Sequence, residues 1–279
     1  MKLILGDNQF FGVNHHDLKK AAEVKKIFYD EKSIESFIKE SLILGIDGFM
    51  INSNVLGFNV IKNYIKLNNE EIHYSIPYPH KYANLVNESG LISLLFHFLS
   101  NTTLKNILKC LPKFILTKNL KYLLPIATDL EIPKNLPKGS FVYLQNILTD
   151  LILGIGRYDL LEYFVQDIKS KGFKPGLITL NPICLDKVIT KSNVLNTKDL
   201  VCCFNINYDG FNVFPNRKKI EDFIKKDKNY LLMGMSILSS GGGGISKSLD
   251  YAKTLDLDYI VFGSSKMKNI QSNYNHFKS

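Results

Sequence analysis

Residues 230–266 read YLLMGMSILSSGGGGISKSLDYAKTLDLDYIVFGSSK. An apolar run, Tyr230–Met235, gives way to a loop that holds four consecutive glycines, Gly241 to Gly244. A stretch with helical spacing follows at Ser246–Thr254, and a second apolar run, Tyr259–Phe262, ends in Gly263-Ser264-Ser265. Two β-prone runs joined by a helix pair in parallel, through a right-handed crossover. The same alternation extends outward to the start of the chain. Further strands are expected at Lys2–Leu5, Gly48–Asn52, Ile72–Ile76, Phe141–Gln145, Gly176–Leu180 and Leu200–Phe204. Helical patterns are clearest at Ser33–Leu44, Tyr158–Lys171, Arg217–Lys226, Ser246–Thr254 and Lys268–Phe277. Eight such units point to a closed barrel, so the expected fold is an α/β (β/α)8 TIM barrel, with residues 1–279 as a single domain. Barrels of this kind run to roughly 250 residues, which suits the length.

The connection between strands 3 and 4, residues 80–139, is far longer than the others and is expected to form a helical insertion or lid. It contains GLISLLFHFLSNTTLKNILKCLPKFILTKNLKYLLP, with leucine and isoleucine at helical spacing. Lys105, Lys109, Lys113, Lys118 and Lys121 add positive charge, with no acidic residue among them. The ordinary reading is a barrel helix with an extra helix packed over the top. The alternative is docking to a membrane surface or a protein partner through residues 100–122.

Composition bounds the function. With 45% hydrophobic and 22% charged residues, the chain can bury a sizeable core. Its net charge of +9 comes from lysines spread along most of the sequence. Nucleic-acid binding would gather that charge on one face, so no nucleic-acid partner is expected. Cys110, Cys184, Cys202 and Cys203 show no metal-ligand spacing, and the adjacent pair does not bridge readily. Reduced thiols in a cytoplasmic protein are expected. The start, MKLILGDNQF, lacks signal-peptide character, and no apolar run reaches the roughly 20 residues of a membrane span.

In these barrels the loops after the strands carry the chemistry. Here the strand ends are rich in amides: Asn8 and Gln9, Asn52 and Asn54, Gln145 and Asn146, Asn181, Asn205 and Asn207. Amides donate and accept at once, which suits hydroxyl-rich or heterocyclic small molecules, but they are poor proton carriers. Asparagine also favours such turns for backbone reasons, so the recurrence carries more weight than any one residue. Asn52, Gln145, Asn181 and Asn205 are expected to position substrate. For acid–base work the choice falls on Asp7, with His16 as base or acid and Lys81 as electrostatic stabiliser. His73, His97 and His276 read as structural, and no histidine–acid grouping calls for a metal. The glycine loop, with Gly243 and Gly244 at a helix N-terminus, and the Gly263-Ser264-Ser265 strand end form an expected anion site.

The segment from Tyr230 to Asn273 resembles the last two strands of the aldo/keto reductase superfamily. In both, a strand ends in a glycine-containing loop, and a helix leads to a valine-rich strand and a GxSxxxxxxxN stretch. More loosely, SFIKESLILGIDGFMINSNVLG resembles that family's second unit and IKSKGFKPGLITLNPICLDKVI its fifth. The resemblance implies a nicotinamide cofactor, NAD(P), whose phosphates and adenosine run past Gly263, Ser264 and Ser265. Asn273 falls at the family's adenine-contacting asparagine. Asn269 stands where many members have an arginine for the 2′-phosphate, with Lys266 or Lys268 as substitutes. The family's catalytic tetrad is missing. No acid lies between Met50 and Asn52, Leu56 replaces the tyrosine, YSIPYP lacks the lysine, and Gln145 or Asn146 replaces the histidine. The leading expectation is thus a reductase-like barrel without the reductase tetrad, binding a nucleotide or a phosphorylated, hydroxyl-rich metabolite and acting through other residues. One rival is an NAD(P)-dependent oxidoreductase using Tyr78 as a rearranged acid. A second is a non-catalytic module that docks through the basic insertion.

Overall fold

The structure is a computed structural model and describes residues 1–11, 27–67, 69–77, 104–239 and 244–279. Strands β1 (Lys2–Leu5), β2 (Gly48–Asn52), β3 (Glu71–Ile76), β4 (Phe141–Leu144), β5 (Lys174–Thr179), β6 (Val201–Asn205), β7 (Leu231–Met235) and β8 (Tyr259–Phe262) close a barrel in sequence order. Every neighbouring pair is parallel, and β8 returns to pair with β1 from Lys2↔Tyr259 to Leu5↔Phe262. The described helices are α1 (Glu31–Ile43), α2 (Val55–Asn63), α3 (Leu104–Thr117), α4 (Leu124–Glu131), α5 (Asn146–Gly154), α6 (Tyr158–Ser170), α7 (Pro182–Ile189), α8 (Arg217–Ile224), α9 (Ile245–Lys253) and α10 (Met267–Lys278). The chain is therefore a (β/α)8 barrel.

Alternation along each strand sorts the side chains into two shells. Outward residues such as Leu3, Leu5, Phe49, Ile51, Tyr74, Val142, Leu177, Cys202 and Phe204 meet the helices and form the larger core. Inward residues fill the barrel itself: Ile4, Met50, Phe141, Tyr143, Ile178, Val201, Cys203, Met233 and Tyr259. The Tyr143 ring occupies the space a Cβ would take at Gly176, so that glycine exists to admit the ring. Cys202 and Cys203 sit on opposite faces of β6, and all four cysteines are free.

Polar side chains fix where the helices begin. The Asp30 carboxylate accepts from the Ser33 N–H at 2.9 Å at the head of α1, and Asn54 accepts from Gly57 at 2.7 Å at the head of α2. Asn216 caps α8 in the same way. Each cap contributes about 1 kcal/mol and sets the entry of the chain from the strand end. Five strands differ from expectation at their ends: β3 starts one residue earlier, at Glu71, β7 one later, at Leu231, and β4, β5 and β6 also differ. β5 starts at Lys174, because Pro175 tolerates the first positions of a strand and the Lys174 ammonium lies over the Phe141 ring at 4.8 Å. β6 is displaced by one residue so that Asn205 pairs with Met235, and β4 ends before Gln145, which starts the turn into α5. Within the 80–139 insertion, the described part forms α3, a 3-10 turn at Leu120–Leu123 and α4. No described helix is long and apolar enough to cross a membrane.

The N-terminal end of the barrel is closed by a stacked polar and aromatic array. His73 is fully buried and stacks on Phe141 at 4.6 Å, with Nδ1 and the Tyr143 hydroxyl 2.7 Å apart. Below it, the Lys2 ammonium donates to Glu71 at 2.6 Å. Burial holds the His73 imidazole below its ordinary pKa, so it is neutral in the folded protein near neutral pH. This confirms the structural reading of that histidine.

Candidate functional site

At the C-terminal end of the barrel the inward layer changes character. The last inward positions of β2, β3 and β6 are Asn52, Ser75 and Asn205, and Gln145 follows β4. Gln145 Nε2 reaches the Ser75 hydroxyl at 3.4 Å. Asn205 donates to the Asn212 carbonyl at 3.0 Å and accepts from the Ser236 hydroxyl at 2.8 Å. Ser236 holds φ of 62°, a left-handed conformation unusual for a residue with a Cβ, and this aims its hydroxyl at Asn205.

Asp7 enters this layer from the end of β1. One of its oxygens accepts from the Asn52 backbone N–H at 2.7 Å and from Asn52 Nδ2 at 2.6 Å. Asn52 is itself held, because its side-chain oxygen accepts from Asn54 N–H at 3.0 Å. Burial pushes the Asp7 carboxyl up to about 6, more than the Asn52 donors pull it down. A carboxyl poised there can exchange a proton near neutral pH, which the amides cannot.

The other expected amides are used differently. The Asn181 oxygen accepts from Cys184 N–H at 3.1 Å, so it caps α7. Asn207 closes its own loop through two bonds to Phe211 at 2.8 Å. Sequence reasoning passed over Ser75, which precedes the strand end but occupies the inward polar layer. It also passed over Asp150, which reaches from α5 to accept from the Thr179 hydroxyl and from Leu180 N–H at 2.9 Å. Inward parity from His73 would have found Ser75; a helix residue closing over a strand end leaves no comparable signal.

Around the last two strands, the end of the Gln9 side chain lies over Gly263, its oxygen where a Cβ would be, so a larger residue there would have to displace the Gln9 amide. The Gln9 amide nitrogen in turn donates to Gly6 O. Gly244 precedes α9 with φ of 88°, a conformation that suits glycine. The Ser264 hydroxyl accepts from Lys266 N–H at 3.3 Å and from Asn269 Nδ2 at 3.1 Å, which fixes the head of α10; Ser265 is half-buried beside it. Between α9 and α10 lies a groove of about 270 Å³ lined by Ile245, Ser246, Asn269, Ser272, Asn273 and His276, with Leu249 at its base. Asn273 is 3% exposed, with its amide buried in the wall of this groove. The Ser239 hydroxyl, buried in the turn after β7, is without a partner among the described residues. Native proteins seldom bury such groups unpaired.

His16, Tyr78, Lys81 and Gly243 lie outside the described residues. Among the described residues, Tyr74 and Tyr143 are pushed upward by burial, which makes them poor proton donors to a substrate. No three His, Cys, Asp or Glu side chains among the described residues are grouped to hold a metal ion. In comparisons with protein-family models and with curated proteins, no match to this chain was found.

Proposed function

We propose that the chain binds a nucleotide or a phosphorylated, hydroxyl-rich metabolite at the C-terminal ends of its strands, and that Asp7 exchanges a proton with it. The observation that carries this reading is the buried Ser239 hydroxyl, without a partner among the described residues, in the turn after β7, together with the groove between α9 and α10 that Asn273 lines. The Ser239 hydroxyl and the N–H groups at the head of α9, which has no side-chain cap, are suited to a phosphate. The Asn273 amide, in a groove of mixed polar and apolar lining, is suited to the edge of a base or sugar. The amides Asn52, Gln145 and Asn205 then face the part of the ligand that reaches the mouth. These features fit the nucleotide half of NAD(P), in line with the likeness to aldo/keto reductases. Carbonyl reduction by that family's route lacks its donor here, since Leu56 and Asn52 stand where a tyrosine and an acid would be needed. The favoured reading is therefore a reductase-like barrel with different chemistry.

The test is titration of the purified protein with NADPH and NADH, by nicotinamide fluorescence, and with ATP and ribose 5-phosphate, by calorimetry. Saturable binding of one probe at micromolar concentration, weakened about tenfold or more by Ser264→Asp or Asn273→Leu, supports the site. If none of the four binds, the reading fails. Binding that is indifferent to both substitutions also defeats it.

A further inference from the structure

Helix α3 shows two different faces. One packs on the protein, with Cys110 buried and Asn106 donating to Asp129 at 2.8 Å. The other is a stripe at i, i+3, i+4 and i+7 spacing, formed by Ile107, Leu108, Leu111, Pro112, Ile115 and Leu116, which line a wholly apolar groove. Leu116 is 83% and Leu108 68% exposed, and Ile115 more than half so. Apolar stripes of this length on a surface mark an interaction site. A helix that faced only solvent would carry polar residues there.

The charge around the stripe identifies the partner. Lys109, Lys113 and Lys118 are exposed along its edge. Lys113 and Lys121 extend over the Tyr122 ring at 5.8 and 5.2 Å, and Lys121 also over Tyr163 at 4.8 Å. The acids of the adjoining helices are engaged elsewhere: Asp129 and Asp167 with Lys171, and Asp159 with Arg157. From residue 104 to residue 128 the sequence has no acid of its own. An apolar stripe edged by lysines and flanked by tyrosines matches the interface of an anionic lipid bilayer, where leucines enter the acyl boundary and ammonium groups meet the headgroups. Since no described helix can cross a bilayer, such a helix would lie on its surface.

We infer that α3 is a peripheral docking element for anionic membrane surfaces, independent of the ligand site at the strand ends. The experiment is co-sedimentation of the full chain with vesicles of phosphatidylcholine alone or mixed with phosphatidylserine, at low and high salt. Binding should require the anionic lipid and fall as salt screens the lysines. Replacing Lys109, Lys113 and Lys118 together by Gln should weaken it about a hundredfold, since each basic residue near such a surface contributes roughly fivefold. Leu116→Asp should abolish it while leaving the midpoint of thermal unfolding within about 2 °C of the parent. Absence of sedimentation overturns the inference, as does equal binding to neutral vesicles. A large loss of thermal stability in Leu116→Asp would show the stripe to be packed against protein. A dimer that this substitution splits would make a second copy the occupant. Either result overturns it.

Discussion

The two ends of the barrel each hold a carboxylate, and the fold treats them in opposite ways. At the N-terminal end, burial alone would raise the Glu71 carboxyl, but His73 and Lys2 outweigh it and bring it down to about 2. At the C-terminal end the donors to Asp7 among the described residues are the neutral groups of Asn52, burial prevails, and its pKa rises to about 6. One carboxylate has a cation beside it and aromatic packing above it; the other has amides and the mouth of the barrel. A charge that is paired supports the fold, whereas a charge left among amides costs stability and stays reactive. This is the division between a stability face and a chemistry face that (β/α)8 barrels show in general.

The contrast can be broken most forcefully from below. Phe141→Ala removes the ring on which His73 stacks and empties part of the inner plug, and should cost about 3–5 kcal/mol in urea unfolding. A loss under about 1 kcal/mol would mean that the plug does not support the barrel. A middle-sized effect of opposite sign is expected at the mouth. Asp7→Asn removes a group whose folded pKa lies above its ordinary 3.8, so the fold prefers the protonated form. The substitution should stabilise by about 1–2 kcal/mol above pH ~6, with the gain fading as pH falls through 6 toward 4, while ligand turnover is lost. Thermal melts of both proteins across this range measure it; a gain that persists undiminished below pH ~4 would contradict the Asp7 assignment. The smallest effect belongs to the paired carboxylate. Glu71 is held below its ordinary 4.5, so its contribution is complete above that pH and disappears toward pH 2. Lys2 is 49% exposed, and Lys2→Met should therefore cost only about 0.5 kcal/mol at neutral pH and nothing near pH ~2.

The eight strands were legible because buried parallel strands are short apolar runs, and turn residues separate them from amphipathic helices. Lys174 and Pro175 were missed for the converse reason: neither favours a strand, and it is the ring of Phe141 beneath the lysine that makes the position tolerable. Asp7, Asn52, Gln145 and Asn205 were expected at the mouth from their place after strands, and they stand at the C-terminal ends of β1, β2, β4 and β6. Asn181 follows the same rule, and its oxygen also caps α7 by accepting from Cys184 N–H. Gly263 illustrates a subtler gap. Its reading as a phosphate contact required only a glycine at a strand end, but the group that lies over it there is the Gln9 amide, remote in sequence. The link between Asp7 and Asn52 is invisible for the same reason, because it depends on the closure of the barrel rather than on any local pattern.

The distribution of thiols has a practical consequence. Cys110, Cys202 and Cys203 are buried, and burial pushes all three thiols above their ordinary pKa, so they resist alkylation in the native protein. Cys184 alone is partly open, and it stands in the first turn of α7, three residues after Asn181 at the rim of the mouth. A maleimide fluorophore added under native conditions would therefore settle on a single position. From there its emission would report, without mutagenesis, when something enters or leaves the barrel.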